Sequence, residues 1–336
     1  MKNLCVILVT RISLTFPETG EKAVNNFMLS VNAVVPMFLL IAAGFLSQKA
    51  GVLTREDVPR INRIAFRVFL PCLLFYNIYE SDFSAAVKPG LILYAICGVL
   101  LMFTAAMLYV SHLVPEQDRK GVIAQGIFRS NFVIMGIPIA QALVGKEELG
   151  AITVLIAVIV PLFNFLSVFA LERFRGGDVK LGKIMLEIVK NPLIISSVIG
   201  ILVQLMGIRL PRLLEGMISS LGVIASPLQL FLLGAFFRFT GLGRYLKPLC
   251  IITAIKLFLT PAVMLGTAAL LGIRGGDFVG LIGIFASPTA VNSFTMVQQM
   301  HCGDAELAGD IVVMTSAVSI FSFFLWILVF KTLGVF

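Results

Sequence analysis

The chain has 336 residues, 59% of them hydrophobic and only 13% charged, and its mean hydropathy is +1.01. This composition excludes a soluble globular domain of this length and indicates a polytopic membrane protein. The formal net charge of +8 does not indicate nucleic-acid binding, because the lysines and arginines are spread over short loops and form no basic tail.

A segment of roughly 20 apolar residues is needed to cross a bilayer, and ten such segments follow one another along the chain. The predicted helices 1 to 10 cover 29–49, 59–79, 88–112, 121–143, 149–171, 190–208, 214–237, 247–272, 277–300 and 306–333. Residues 1–28 form an amino-terminal extension, which is either an amphipathic surface segment or the result of a start upstream of the true one at Met28.

Lysine and arginine are more frequent in the loops that follow the odd-numbered helices. By the positive-inside rule these loops face the cytoplasm and both termini lie outside. The loop "ERFRGGDVKLGK", 172–183, is then cytoplasmic. We expect a multi-pass protein of the cell (inner) membrane.

The two halves of the chain share landmarks in the same order. Three of them recur after 156 residues: Pro36, Gly51 and Pro71 return as Pro192, Gly207 and Pro227. Three more recur at similar offsets: Lys88, Gly126 and Glu148 return as Lys247, Gly283 and Glu306. Repeats of five helices each, 29–172 and 190–336 with the loop 173–189 between them, would have opposite membrane orientations. The predicted fold is therefore an all-α polytopic membrane protein built from two inverted five-helix repeats.

Predicted helices 4 and 9 are both interrupted, in "GIFRSNFVIMGIP" and "GIFASPTAVNSFT". Broken helices near the bilayer midplane expose backbone groups that can hold an ion or a polar substrate. The predicted substrate-binding residues are Ser130, Asn131, Gly136 and Pro138 in helix 4, and Ser287, Pro288, Thr289, Asn292 and Ser293 in helix 9. The alternative is an ordinary proline kink, in which nearby hydroxyl groups satisfy the freed carbonyls.

Three ionisable residues lie within the spans, where charge is costly. Arg129 in predicted helix 4 and Lys256 in predicted helix 8 are candidates for attracting a carboxylate. Their alternatives are snorkelling to the interface and a structural ion pair with an acid such as Asp310. Asp310 is a candidate proton or cation carrier, or else a dipole partner in the first turn of helix 10.

Asn164 in "PLFNFLSV" is either a substrate contact from predicted helix 5 or an interhelical hydrogen bond. The five cysteines form no CxxC pair, so neither a disulfide framework nor a metal site is predicted. The chain lacks GxxxxGK[ST], HExxH and GxSxG, which disfavours an enzyme. We expect no cofactor.

The chain resembles prokaryotic members of the auxin efflux carrier family, which also includes plant PIN-type carriers. The resemblance rests on "VPMFLLIAAGFL", "INRIAFRVFLPCLLF", "SNFVIMGIP", "PLFNFLSV", "KNPLIISSVIGILV" and "SPTAVNSFTMVQQ". It implies a fold similar to bile acid symporters, with helices 1, 2, 6 and 7 as a scaffold and helices 3–5 and 8–10 as a transport domain. Helices 4 and 9 are then expected to cross at the site. A homodimer is compatible with this fold. The long central loop of the plant members is absent.

The functional hypothesis is a secondary transporter, an efflux carrier-like permease, for a small organic anion such as a carboxylate or an auxin-like compound. Alternating access would occur around the crossing of helices 4 and 9. A membrane channel or a ligand sensor built on the same fold is the alternative. Substrate identity, direction of transport, uniport or coupling to protons or sodium, and oligomeric state stay open.

Overall fold

The computed structural model describes residues 35, 36, 38–54, 56–80, 88–136, 140, 143–144, 150–175, 186, 189–236 and 242–336, all without a β-strand. The predicted amino-terminal extension, Pro138 and Glu148 lie outside these residues. Where a helix is interrupted, its two parts are labelled a and b. Helix α8 consists of three successive segments, Leu242–Ala254, Ile255–Leu259 and Thr260–Leu270. The other helices are α1 (Phe38–Lys49), α2 (Asp57–Tyr79), α3 (Pro89–Leu113), α4a (Gln117–Phe128), α4b (Phe132–Gly136), α5 (Gly150–Arg173), α6 (Pro192–Leu205), α7 (Arg212–Phe236), α9a (Gly275–Phe285), α9b (Asn292–Met300) and α10 (Ala305–Thr332).

Six helical stretches of the described residues are long and apolar enough to cross a membrane. They are Asp57–Tyr79, Pro89–Leu113, Val154–Arg173, Arg212–Phe236, Tyr245–Leu270 and Ala305–Thr332. Three shorter apolar helices accompany them, namely α1, α6 and α9a. The protein is therefore a multi-pass membrane protein, while ten crossings stay a prediction.

Prolines shape the backbone of two of the long helices. Single π-helical turns, Ala65–Phe69 in α2 and Ile255–Leu259 in α8, lie just before Pro71 and Pro261. Proline lacks an N–H group and leaves the carbonyl four residues earlier without its usual partner. For Pro261 that carbonyl belongs to Leu257, and the indole Nε1 of Trp326 in α10 donates to it at 2.8 Å. The π turn of α8 is thereby tied to α10.

Helices α1 and α6 end with the same local structure. Gly51 and Gly207 both adopt left-handed backbone conformations, with φ of 75° and 65°. The amides of the three residues 50–52 bond to the carbonyls of residues 46, 48 and 47, and those of residues 206–208 bond to residues 202, 204 and 203. Each of the three hydrogen bonds at the end of α1 therefore has a counterpart at the end of α6, shifted by 156 residues. Glycine is suited to both positions because it has no Cβ.

Glycines also allow close packing between α1 and α7 and between α2 and α6. A Cβ on Gly44 of α1 would lie 1.9 Å from the carbonyl oxygen of Phe231 in α7. A Cβ on Gly200 of α6 would lie 3.3 Å from the carbonyl oxygen of Phe75 in α2. The offset of 156 relates Gly44 to Gly200 and Phe75 to Phe231. Small residues at such contacts let membrane helices approach closely.

The half-helices α4a and α9a lie inside the molecule. Every residue of 121–128 and of 278–285 is buried. A helix that is buried on all sides is surrounded by other helices rather than by lipid. The ends of α4a and α9a, where both chains leave the helical conformation, are therefore enclosed by protein.

Candidate functional site

The two helix breaks contact each other directly. The helical conformation stops at Phe128 in α4a and at Phe285 in α9a. In the breaks, the amide of Asn131 donates to the carbonyl of Pro288 at 2.8 Å, and Ser130 Oγ donates to the carbonyl of Ser287 at 3.3 Å. Each break therefore supplies hydrogen-bond partners that the other lost when its helix ended.

Two further contacts fix the geometry of this crossing. Thr289 Oγ1 donates at 2.9 Å to the carbonyl of Gly126, near the end of α4a. A Cβ on Gly283 would lie 3.1 Å from the Cα of Gly136 and 2.7 Å from the Phe132 ring. Only a residue without a side chain fits where Gly136 and Gly283 approach each other, so the crossing depends on glycine in both backbone segments.

Arg129 is the first residue beyond α4a, with extended backbone angles of φ −79° and ψ 133°. The sequence predicted it about nine residues into the interrupted helix 4, and the structure places it at the break itself, because the helix begins at Gln117 and ends at Phe128. Its side chain is only 2% exposed. The guanidinium donates to Asn164 Oδ1 at 2.7 Å and to Gln125 Oε1 at 3.3 Å, and it contacts the sulfur of Met296.

Lys256 provides a second buried positive group. It lies in the π turn of α8, is 0% exposed, and donates from Nζ to Ser130 Oγ at 3.1 Å. Among the described residues, no carboxylate lies within 4 Å of Lys256 or Arg129. Asp310 is buried in α10 and its Oδ2 atom has no hydrogen-bond partner, so the described residues contain no ion pair between it and either cation.

A cavity of about 40 Å³ adjoins the crossing. Its lining residues are Leu70, Leu73, Leu74, Asn77, Arg129, Ser130, Asn131, Phe132, Val133, Val160, Phe163, Asn164, Ser226, Gln229, Ala290 and Asn292. Space of this size holds water molecules. The Nδ2 groups of Asn77, Asn131 and Asn164 are buried without a hydrogen-bond partner. The cavity therefore combines unused amide donors with an unneutralised guanidinium.

Of the predicted site residues, Arg129, Ser130, Asn131, Asn164 and Asn292 line the cavity. The others divide by position. Ser287, Pro288, Thr289 and Gly136 hold the crossing, Lys256 contacts it through Ser130, and Ser293 is buried nearby in α9b with an unpartnered hydroxyl. Asp310 does not line the cavity, and Pro138 lies outside the described residues.

Among the polar lining residues, sequence reasoning missed Ser226 of α7 and two amide side chains, Asn77 of α2 and Gln229 of α7. Both are isolated amide side chains in apolar spans, and each follows a proline of its helix, Pro71 or Pro227. The amide within an apolar helix was a usable signal, because such groups avoid lipid and face other helices. They bring α2 and α7 to the same cavity as α4, α5 and α9.

The arrangement suits an anion. A buried charge without a counterion is expensive, and a carboxylate that reached Arg129 would neutralise it. Unpaired amide donors would bond to the same oxygens, and bonds to charged acceptors are stronger than bonds to neutral ones. The described residues thus offer a carboxylate one cation and several amide donors.

Comparison with known proteins identifies the family. The chain matches the family described as "Membrane transport protein" over residues 29–327. It belongs to this family, that of the auxin efflux carriers. The resemblance seen in the sequence is thereby confirmed, and the family indicates a transporter rather than an enzyme.

Three relatives show how far the similarity extends. An uncharacterized transporter of Methanothermobacter thermautotrophicus is 24% identical over 303 residues, which are 89% of this chain and 98% of the relative. An uncharacterized transporter of Methanocaldococcus jannaschii is 21% identical over 311 residues, again 89% and 98%. The lysosomal cholesterol signaling protein of Mus musculus is 22% identical over 234 residues, 65% of this chain and 27% of that protein.

Proposed function

We propose that this membrane transport protein is a secondary transporter of a small organic anion, such as a carboxylate or an auxin-like compound. The observation that carries the proposal is Arg129, a buried cation without a carboxylate partner among the described residues, at the crossing of two broken helices. An anion bound there would contact Arg129 and the amide groups of Asn131 and Asn164.

The position of the cavity supports alternating access. On one side are Asn77 of α2 and Gln229 of α7, and on the other are Asn131, Asn164 and Asn292. We assign α1, α2, α6 and α7 to a scaffold and α3 to α5 and α8 to α10 to a transport domain. A site between two such groups becomes accessible from one side or the other when one group moves against the other.

An inverted repeat would give the two access states similar energies. The recurrence of the hydrogen bonds around Gly51 and Gly207, and of the Gly44 and Gly200 contacts, supports two related halves, 29–172 and 190–336. The loop 173–189 lies between them, in the cytoplasm under the proposed topology with both termini outside. The proposal places the protein in the inner membrane. A proton or sodium gradient, or the membrane potential alone, would drive the transport.

The experiment is uptake into proteoliposomes of the purified protein. Labelled malonate, malate and indole-3-acetate are offered with and without sodium or proton gradients. We expect saturable, gradient-dependent or potential-dependent uptake of at least one of them. Asn131→Ala and Asn292→Ala should abolish it, whereas Thr104→Ala, on an exposed face of α3, should not. A folded protein that moves none of these anions under any gradient would contradict the substrate class.

A ligand sensor is the second candidate, because the similarity to the lysosomal cholesterol signaling protein covers 65% of this chain. A sensor would bind the labelled anion without moving it across the bilayer. Binding to the purified protein together with absence of flux would favour the sensor. A channel, also compatible with broken helices, would give single-channel currents instead of saturable flux.

A further inference from the structure

A second cavity, of about 220 Å³, opens where the ends of α5 and α9b meet α2 and the start of α6. Three basic side chains from three parts of the chain line it: Arg67 of α2, Arg175 just after α5, and Lys190 just before α6. Among the described residues, the only carboxylate in its lining is Glu172 of α5. The cavity is therefore more than five times as large as the central one and predominantly basic.

The charges of the described residues that line this cavity do not cancel. Glu172 is 1% exposed and is bound by Arg175 Nη1, which donates to its two carboxylate oxygens at 2.9 and 3.1 Å. Within the described part of the chain, Arg67 and Lys190 lie beyond 4 Å from any carboxylate, and both are exposed. Two positive groups are thus left free to attract an anion into the cavity.

The basic cavity and the central cavity lie along the same helices. On α2, Phe66 lines the outer one and Leu70 the inner one, which is a separation of about one turn. On α5, Glu172 and Asn164 are eight residues apart, or about 12 Å along the axis. On α9b, Gln299 and Asn292 are seven residues apart, or about 10 Å. The basic cavity therefore lies next to the central cavity along three helices.

Contacts between α9b and α2 border the basic cavity on the side of α2 that is away from the central cavity. Asn62 Nδ2 donates to Gln298 Oε1 at 2.5 Å, and Gln299 Nε2 donates to the carbonyl of Pro59 at 3.1 Å. Gln299 itself lines the basic cavity.

We infer that the basic cavity is a second binding site for the transported carboxylate, which loads the central site. This inference rests on the proposed function. Arg67 and Lys190 attract the anion, and the central cavity, about one turn further along α2, receives it. Each exposed charge contributes modestly, so removal of both should weaken loading by about tenfold.

The test uses labelled malonate, the full-length protein and the double variant Arg67→Gln/Lys190→Gln. Equilibrium dialysis of the detergent-purified wild type should give two bound malonates per chain. In the double variant one of the two should bind about tenfold more weakly, and Asn131→Ala should bind one. In proteoliposomes the double variant should raise the KM for malonate about tenfold with Vmax nearly unchanged, and reduce the salt dependence of KM. The control Arg63→Gln/Lys247→Gln removes two exposed charges outside the cavity and should match the wild type.

Each outcome of the test is decisive. A single wild-type site that survives in the double variant overturns the inference, whether or not malonate is transported. Two sites without transport would contradict the proposed function and leave the second site standing. A KM effect present in vesicles with phosphatidylglycerol and absent in pure phosphatidylcholine would assign Arg67 and Lys190 to a lipid headgroup and also overturn the inference.

Discussion

Arg129 unites features that a purely structural arginine lacks. It is buried, its hydrogen-bond partners are neutral, and it begins a helix break that lines a cavity. Burying an uncompensated charge destabilises a protein by several kilocalories per mole. Such a cost fits the proposed role of Arg129 in binding better than a role in stability.

Replacing Arg129 with an uncharged residue distinguishes a role in anion binding from a role in protein stability. For Arg129→Gln we expect malonate affinity to fall by about 100-fold or more, since a charge pair with the ligand is lost. The melting temperature should stay the same or rise, because an unpaired buried charge is removed. Arg63→Gln on the exposed surface of α2 is the matched control. Retained affinity with a lower melting temperature would show that Arg129 is structural.

Sequence reasoning identified the residues of the breaks but not the whole cavity. Arg129, Asn131 and Asn164 are conspicuous because they interrupt apolar segments. The contact between Lys256 and Ser130 joins residues 126 positions apart, and the helix packing that creates it leaves no local signal. For the same reason Asn77 was missed, because one amide in a span does not reveal which neighbour it faces.

At the scale of elements, prolines acted on helices in ways that the sequence only partly specifies. The breaks in predicted helices 4 and 9 were expected, and the described part of each is interrupted. The π turns before Pro71 and Pro261 were not expected. A proline predicts a disturbed helix, but whether the chain kinks or forms a π turn depends on the neighbour that satisfies the freed carbonyl.

Trp326 is that neighbour for α8. The variant Trp326→Phe keeps most of the ring but leaves the Leu257 carbonyl unpaired, so we expect a loss of about 1–3 kcal/mol in stability. The second variant, Pro261→Ala, returns a backbone N–H to the same turn. Thermal unfolding of both single variants and the double variant gives the coupling energy. Additive effects would contradict a link between the proline and the indole.

The glycine crossing gives a second prediction for the elements. In Gly283→Ala the new Cβ would lie 3.1 Å from the Gly136 Cα and 2.7 Å from the Phe132 ring. Separating the two backbones costs about 1–3 kcal/mol and displaces the bonds between the breaks. We expect malonate uptake to be lost while the protein still folds. Gly266→Ala in α8 has nothing within 4 Å of its Cβ and serves as the control. Full uptake by Gly283→Ala would contradict a crossing that requires glycine.

At the scale of the whole molecule, the packing suggests two groups of helices with the cavity between them. Contacts within each proposed group include Gly44 against Phe231 in the scaffold and Lys88 against Asp277 in the transport domain, where Nζ and Oδ2 are 2.7 Å apart. The hydrogen bond between Asn62 of α2 and Gln298 of α9b runs between the groups. If one group moves against the other during transport, the bond between Asn62 and Gln298 must break while the contacts within each group persist.

Crosslinking distinguishes these two kinds of contact. In a background with the native cysteines replaced by serine, Asn62→Cys/Gln298→Cys joins α2 to α9b, and Lys88→Cys/Asp277→Cys joins α3 to α9a. A short bis-methanethiosulfonate, which forms a disulfide with each cysteine, should stop malonate uptake through the first pair, because it ties the scaffold to the transport domain. A reducing agent cleaves these disulfides and should restore uptake. The second pair lies within the transport domain, so its crosslink should leave uptake intact. Uptake that continues in a fully crosslinked 62–298 protein would mean that α9b does not move against α2 during transport, and the division into scaffold and transport domain would fail.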